Sequence, residues 1–195
     1  MHTTITALHI NLGKARKLRV GERSLLSAIG KTSMSGPVVV GALGLQGDEQ
    51  ADPSVHGGLE KAVYAYPVVH YAFWQEQRRA NGVSLFDEAL PPGLAGENLT
   101  VDGPLEDDIY VGDTLHFADC VLRVTAPREP CSKFNAVMGF AKASKAMAQA
   151  GCCGYYLAVQ QPGTISPGEQ ARLVAGPRNV SIAQAFAAKM RKHLG

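Results

Sequence analysis

"DTLHFADCVLRVTAPR", residues 113–128, is the stretch from which the fold class follows. After its turn, the positions on one side are Cys120, Leu122 and Val124, and those on the other are Val121, Arg123 and Thr125. Side chains that alternate in this way, with a period of two, are typical of a β-strand that buries one face. Ala118-Asp119 supplies a turn between two such runs. We therefore predict a β-hairpin here, with Cys120 on its buried face.

Other parts of the chain have the same strand-like character. The clearest are "ITALHINL" (5–12), "KAVYAYP" (61–67), "GENLTVDG" (96–103) and "GYYLAVQQPGTISPGEQARLV" (154–174), the last read as two strands. Glycine and proline turns bound these segments, and helices do not alternate with them regularly. We therefore predict a mainly β fold, a β-barrel or curled sheet with a few peripheral helices, and not a doubly wound α/β sheet.

Three segments are predicted to be helical. Residues 67–82 form the first, with Pro67 as its first residue and Gly82 as its stop. Residues 136–151 form a second, single helix that ends at a glycine. Ser181 caps the third, and the only domain boundary that the sequence suggests lies just before it. The basic residues 13–36 are read either as an interaction arm or as an additional hairpin.

Composition excludes several classes of protein. A chain of 195 residues supports one sizeable domain, and a net charge of +2 is too small to indicate nucleic-acid binding. No apolar run approaches the roughly 20 residues that cross a bilayer, and the start of the chain lacks the pattern of a signal peptide. GxGxxG and GxxxxGK[ST] motifs are absent from the sequence. The expected location is therefore the cytoplasm, with neither nucleic acid nor membrane as a partner.

Cys131 is the strongest candidate for chemistry. It lies in "PREPCSK" (127–133), a segment that two prolines stiffen and that places Arg128 and Lys133 near the thiol. Nearby cations stabilise a thiolate, which is the form that attacks electrophiles and binds metals. The alternative is a loop thiol without a function. Cys120 is interpreted as part of the core, and Cys152 and Cys153 as structural or incidental.

"VHGGLEKAVYAYP" (55–67) suggests a second set of candidates. Gly57 and Gly58 allow close approach of the backbone to a ligand or a positive φ, and His56 beside them can bind an anion or transfer a proton. The alternative is a turn histidine bonded to a carbonyl. Three further motifs offer polar side chains that suit either turns or ligands, at Asp48, Lys61, and the pair Glu97 and Asn98.

Taken together, the motifs resemble a known family. "GLQGDEQAD…HGGLEKAVYAYP", "GENLT", "VGD", "PREPCSKFN" and "GYYLAVQQPG" occur in the order found in MOSC domains, which are named for the C-terminus of molybdenum cofactor sulfurase. The chain is most similar to the bacterial branch linked to resistance against 6-hydroxylaminopurine. The similarity extends from about Ile5 to about Arg178, nearly the whole chain.

The resemblance implies a β-barrel that binds the molybdenum cofactor (molybdopterin). Cys131 would ligate the metal, and His56 would donate protons with Arg128 as a further catalytic residue. The other residues implied to bind the cofactor are Asp48, Gly57, Gly58, Lys61, Glu97, Asn98, Lys133 and Asn135. The substrate would be a small N-hydroxylated compound. Since the chain carries no flavin or iron–sulfur motif, a separate reductase would supply the electrons.

Two other functions stay open at this point. In the first, Cys131 carries a persulfide and the protein is a sulfur carrier; in the second, the barrel only binds a ligand. Relatives often carry tryptophan where this chain has Ser132, which leaves the substrate side more open. We expect a barrel domain over residues 1–178 and, over residues 179–195, a helix that remains from a longer helical extension; a homodimer is left open.

Overall fold

The fold, taken from a computed structural model, is described for residues 4–51, 57–86 and 88–194. The strands in chain order are β1 Thr4–Leu12, β2 Arg16–Val20, β3 Arg23–Ser27, β4 Thr32–Ser33, β5 Val38–Gly41, β6 Gly44–Leu45, β7 Val63–Pro67, β8 Leu99–Asp102, β9 Thr114–His116, β10 Val121–Pro127, β11 Tyr155–Gln161, β12 Gly163–Ile165 and β13 Glu169–Val174. The helices are α1 His70–Ala80, α2 Ser132–Met138, α3 Ala143–Ala150 and α4 Ile182–Leu194, and a 3₁₀ turn spans Leu59–Lys61.

Seven strands close into a barrel. Their order is β13–β9–β10–β11–β7–β8–β1, and β1 pairs back to β13 to complete the ring. All neighbouring pairs are antiparallel except β7 and β8, which run parallel. A parallel pair needs a crossover connection, and α1 lies in that connection. The predicted β-barrel with peripheral helices is therefore confirmed.

The hairpin predicted from residues 113–128 is confirmed as β9 and β10. Leu115 pairs with Leu122, and the amide of Phe117 donates to the carbonyl of Cys120 at 2.9 Å across the turn. Cys120, Leu122 and Val124 are all fully buried. The alternation along this segment therefore marks the side of the hairpin that faces the barrel interior.

The first predicted helix begins later than expected. Pro67 ends β7 instead of starting α1, because it pairs with Val101 in the parallel ladder. The amide of Val68 then donates to the carbonyl of Val101 at 2.8 Å. The helix begins at His70 only after this ladder is complete.

The single helix predicted over residues 136–151 is two helices. Gly139 ends α2 in the left-handed conformation, with φ of 82°. A Cβ at this position would lie 2.7 Å from a methyl carbon of Val83, so the glycine also permits a close approach. The Asn135 side chain then accepts a hydrogen bond from the amide of Ser144 at 2.7 Å, which ties α2 to the start of α3.

The segment predicted as two strands over residues 154–174 forms three. Between β11 and β13, the short strand β12 leaves the barrel and pairs with β5 in a separate three-stranded sheet. Residues 13–36 contain the hairpin β2–β3, so the second of the two interpretations of this segment holds. No helix in the described ranges has the length and hydropathy that crossing a membrane requires.

The final helix is capped and packed on the barrel. The amide of Gln184 donates to the Ser181 hydroxyl at 3.2 Å, and the Gln184 side chain accepts from the amide of Ser181 at 3.0 Å. This reciprocal pair is a capping box. Ile182 and Phe186 are buried against the barrel, as the apolar spacing of the helix indicates.

Candidate active site

A cleft opens where the 3₁₀ turn, β7 and the start of α2 approach the segment between β3 and β4. It contains several of the residues singled out from the sequence. Those that line it are Lys61, Asn98, Arg128, Cys131 and Lys133. Segments far apart in the chain therefore meet at one concave surface, which is the usual form of a small-molecule site.

Cys131 is held by its backbone at the edge of this cleft. It adopts an extended conformation directly before α2, and its carbonyl accepts hydrogen bonds from the amide of Phe134 at 3.0 Å and the hydroxyl of Ser144 at 2.8 Å. Its side chain is partly exposed. Helix α2 and the start of α3 thus fix the position from which the thiol enters the cleft.

The other three cysteines have a different environment. Cys120, Cys152 and Cys153 are buried. Burial raises the pKa of the Cys120 and Cys152 thiols to about 12, and it also raises the pKa of Cys153 well above its usual range. These thiols stay protonated at neutral pH, and Cys131 is the one cysteine of the four that solvent reaches.

Arg128 supplies a fixed positive charge beside Cys131. Its side chain is 5% exposed, and one guanidinium nitrogen donates to the carbonyl of Ala95. The guanidinium lies 4.9 Å from the ring centre of Tyr64 and 5.2 Å from that of Phe134. Arg128 and Cys131 line the same cleft and are three positions apart in the chain. A buried cation with this geometry favours the thiolate form of a neighbouring cysteine.

Lysines add further positive charge to the cleft. Lys61 places its ammonium 5.5 Å from the ring centre of Tyr156, and Lys133 is the second residue of α2. Lys31 also lines the cleft, with a side chain that is only 6% exposed and forms an ion pair with Asp48. Burial lowers the pKa of Lys31, and the charge of Asp48 opposes that shift. The arrangement suits an anionic ligand.

Asp48 lies behind the cleft wall and joins three segments. One carboxylate oxygen accepts from Lys31 and from the amide of Gly13 at 2.7 Å. The other accepts from the Asn98 side chain at 2.8 Å. Asn98 in turn accepts from the amide of Tyr64 at 3.1 Å. Asp48 and Asn98 therefore hold the cleft wall in place through these hydrogen bonds.

Glu97 is fully buried between two residues that line the cleft. One of its carboxylate oxygens accepts from the amide of Gly93 at 2.8 Å, from the hydroxyl of Thr100 at 2.8 Å and from Tyr71. Among the described residues, the other oxygen has no hydrogen-bond partner. Burial raises the pKa of Glu97, and the hydrogen bonds oppose the shift. Glu97 is thus placed behind the cleft wall and does not line the cleft.

The glycine turn borders the cleft. Gly58 has φ of 83° and ψ of 179°, a conformation that glycine alone adopts readily, and its amide donates to the Gln50 side chain at 2.9 Å. Gln50 lines the cleft, so the turn approaches it as the sequence suggested. Gly57 precedes this turn. His56 lies outside the described residues.

Asn135 is not brought to the cleft. Its side chain is bonded at the junction of α2 and α3, and the residue lines a separate groove between α2 and the β2–β3 turn. Conversely, four residues that line the cleft were not predicted from the sequence to belong to the site: Lys31, Gln50, Tyr64 and Tyr156. Lys31 follows a glycine in a basic stretch, where a lysine is usually solvated. Only its long-range ion pair with Asp48 marks it as a site residue.

Comparison with curated proteins identifies relatives of this chain. Protein YflK of Bacillus subtilis (strain 168) is 32% identical over 189 residues, which cover 96% of this chain and 81% of the relative. Protein YiiM of Escherichia coli (strain K12) is 33% identical over 161 residues, covering 83% and 70%. A protein of Gibberella moniliformis named "Reductase" is 33% identical over 171 residues, covering 87% of this chain but 29% of the relative.

Solved structures and family models agree with these relatives. The crystal structure of YiiM from Geobacillus stearothermophilus superposes with a TM-score of 0.76 at 30% identity, covering 98% of this chain and 86% of that one. A family model described as the MOSC domain matches residues 52–172. That match covers strands β7 to β12, the first four residues of β13 and most of the residues that line the cleft. The chain belongs to the MOSC domain family.

Proposed function

We propose that this chain is a reductase of N-hydroxylated compounds and that it works with a molybdenum cofactor bound in the cleft at Cys131. The observation that carries the proposal is the pairing of one solvent-accessible thiol with the buried cation Arg128 in a cleft that three lysines also line. Membership in the MOSC family and a relative named "Reductase" support it. Amidoximes and bases such as 6-hydroxylaminopurine are the proposed substrate class.

The donor set of the cleft fits such a cofactor. Cys131 offers a soft thiolate, the kind of ligand that suits a metal with other sulfur ligands. Lys61 and Lys133 offer ammonium groups that suit a phosphate. Arg128 is fixed by its neighbours, so its role is to hold a charge in place and not to reach for a ligand. When bound, the cofactor would supply two-electron redox chemistry.

The residues of the chain would then have separate tasks. Arg128 would keep Cys131 ionised, and the Lys31–Asp48 ion pair would hold the wall that faces it. His56 would deliver protons, as the resemblance implies. The overall reaction converts R–NHOH, two electrons and two protons into R–NH₂ and water, with cleavage of the N–O bond. The electrons would come from a separate donor protein.

Electron supply is the test of this function. The purified protein should reduce 6-hydroxylaminopurine when dithionite-reduced methyl viologen is present, and it should not do so with NADH alone. Absence of turnover with the chemical reductant, in protein from cells that make the cofactor, would contradict the proposal. Turnover with NADH alone, in a preparation free of other proteins, would contradict the need for a separate donor.

A sulfur carrier is the second candidate, because the positive charge of Arg128 would also stabilise a persulfide on the accessible Cys131. The intact mass of freshly purified protein separates the two functions. A mass increase of one sulfur atom located at Cys131, in protein without reductase activity, would favour the carrier. An unmodified thiol in active protein would exclude it.

A further inference from the structure

The hairpin β2–β3 forms a ribbon that has no strand partner in the barrel sheet. Its register pairs Lys17 with Leu26 and Arg19 with Ser24, so these four side chains share one face. All four are exposed, and Leu26 is exposed by 54%. We call this face, formed by Lys17, Arg19, Ser24 and Leu26, the basic ribbon. The opposite face is partly buried, with Leu18 packed on the core.

The surface around the basic ribbon is mainly positive, with Glu49, which pairs with Lys14 beside the start of β2, as an acidic neighbour. Residues 1–47 contain six lysines and arginines and a single acidic residue, Glu22. Residues 130–168, which include α2 and α3, contain three lysines and no acidic residue. The two segments face each other across a groove that Arg19 and Gly21 line from the ribbon and Ser132 from α2. Within the described parts of the chain, Lys17 has no ion pair.

This surface adjoins the cleft from two sides. Strand β3 ends at Ser27, and the residues from Ser27 to Ile29 line the cleft. On the other side, Ser132 in the groove directly follows Cys131 in the cleft. A protein seated on the basic ribbon and its groove would therefore lie next to the Cys131 end of the cleft.

We propose that the basic ribbon, with the groove to α2, is the docking surface for an acidic electron-carrier protein. This rests on the proposed function, because cleavage of the N–O bond consumes two electrons that a reduced carrier must supply. Opposite charge steers such a carrier to the surface, and Leu26, which pairs with Lys17, provides an exposed apolar contact. A second copy of this chain would bring the same positive charges face to face. The small net charge of +2 and the lack of an aromatic side chain on the ribbon disfavour nucleic acid.

Charge reversal tests the proposal. The variant Lys17→Glu/Arg19→Glu is compared with Arg172→Glu/Arg191→Glu, which changes the net charge equally at two exposed residues elsewhere. Each protein is assayed with dithionite-reduced methyl viologen and, separately, with two acidic probes, a reduced flavodoxin and a reduced [2Fe–2S] ferredoxin. Both variants should keep turnover with the viologen. The ribbon variant should raise the KM for at least one carrier by about tenfold or more, while the control changes it by less than about twofold.

Salt gives a second readout. Carrier-driven turnover of the wild type should fall between about 0.05 M and 0.3 M salt, and that of the ribbon variant should depend on salt less. Equal KM values for the two variants would overturn the docking surface while leaving the reductase function intact. So would failure of both carriers to drive a wild type that turns over with viologen. Loss of viologen turnover in the wild type would instead reject the proposed function.

Binding measurements distinguish an electron carrier from other occupants of the basic ribbon. Oxidised carriers should bind the wild type more tightly at low salt than they bind the ribbon variant, even if no reductase activity is found. A single-stranded oligonucleotide that binds the ribbon more tightly than either carrier would overturn the proposal. A wild-type dimer in light scattering that the ribbon variant loses would also overturn it, because a second copy would then cover the surface.

Discussion

At the scale of single residues, burial separates the four cysteines. Three thiols lie in the barrel or its loops, and Cys131 alone reaches the cleft beside Arg128. The sequence pointed to this cysteine because two prolines and nearby cations mark its segment. It could not reveal how Arg128 is fixed, because Ala95 and Tyr64 come from distant parts of the chain.

Replacement of Cys131 should separate activity from folding. Cys131→Ser exchanges a soft thiolate for a hard hydroxyl of similar volume, so we expect a small change in stability. Reductase activity should fall by more than the roughly 10–100-fold typical of changes just outside a metal's own ligands. The measurements are urea unfolding and viologen-driven turnover.

Cys120→Ser is the matched control. It places a hydroxyl on the buried face of the β9–β10 hairpin, which should cost about 1–3 kcal/mol of unfolding free energy. Activity per folded molecule should stay unchanged. If the effects were the other way round, so that Cys131→Ser kept its activity and Cys120→Ser lost it, the assignment of the ligand would be wrong.

Glu97 gives a prediction about pH. Its pKa is raised in the folded protein above the 4.5 expected when unfolded, because burial disfavours the carboxylate. As pH rises from 4.5 through the folded pKa, the unfolded state loses its proton first, so this residue lowers stability over that window. Glu97→Gln removes the titration. The difference in unfolding free energy, variant minus wild type, should therefore be larger at about pH 8 than at about pH 5.

Urea unfolding of both proteins at the two pH values measures this difference. Subtracting the wild type from the variant removes the contribution of other titrating groups, provided that they are far from residue 97. A difference that is the same at both pH values would show that Glu97 does not titrate with a raised pKa.

At the scale of elements, local sequence patterns predicted whether a segment is a helix or a strand better than they predicted where it begins and ends. The hairpin β9–β10 follows directly from the alternation of its side chains, and the capped start of helix α4 follows from Ser181. The boundaries of α1 and the break between α2 and α3 did not. Pairing with Val101 places Pro67 in β7 and not in α1, and the close approach of Val83 requires a glycine at position 139, where α2 ends. Both are long-range contacts that a local pattern does not contain.

Asp48 connects elements, so its loss should be costly. It bonds the β1–β2 turn at Gly13, the β3–β4 segment at Lys31 and the start of β8 at Asn98. Asp48→Ala would leave the charge of Lys31 buried without its partner. We expect a loss of about 3–5 kcal/mol in unfolding free energy, as for other buried pairs broken on one side.

Glu49→Ala is the neighbouring control. Glu49 pairs with Lys14 at 3.1 Å on the surface, where solvent screens the pair, so its loss should be much smaller than that of Asp48→Ala. Urea unfolding measures both. Equal losses for the two variants would mean that Asp48 does not hold the cleft wall.

At the scale of the whole molecule, the fold class could be predicted, but the closure of the barrel could not. Many short strands with turns between them indicated a barrel, and the order of motifs indicated the family. Closure depends on pairing of β1 with β13, which are separated by most of the chain and share no local signal. The same holds for the cleft. Lys31 and Cys131 are 100 residues apart and meet only because the barrel closes between them.

The molybdenum and pterin content of freshly purified protein, made in cells competent for the cofactor, tests whether the protein binds a molybdenum cofactor with Cys131 as a ligand. Metal analysis and oxidation of the pterin to a fluorescent product measure the two components independently. We predict close to equimolar molybdenum and pterin in the wild type and in Cys120→Ser, and an altered metal content or metal spectrum in Cys131→Ser. Wild-type protein that is folded but contains neither component, or a Cys131→Ser protein with an unchanged metal spectrum, would contradict this prediction.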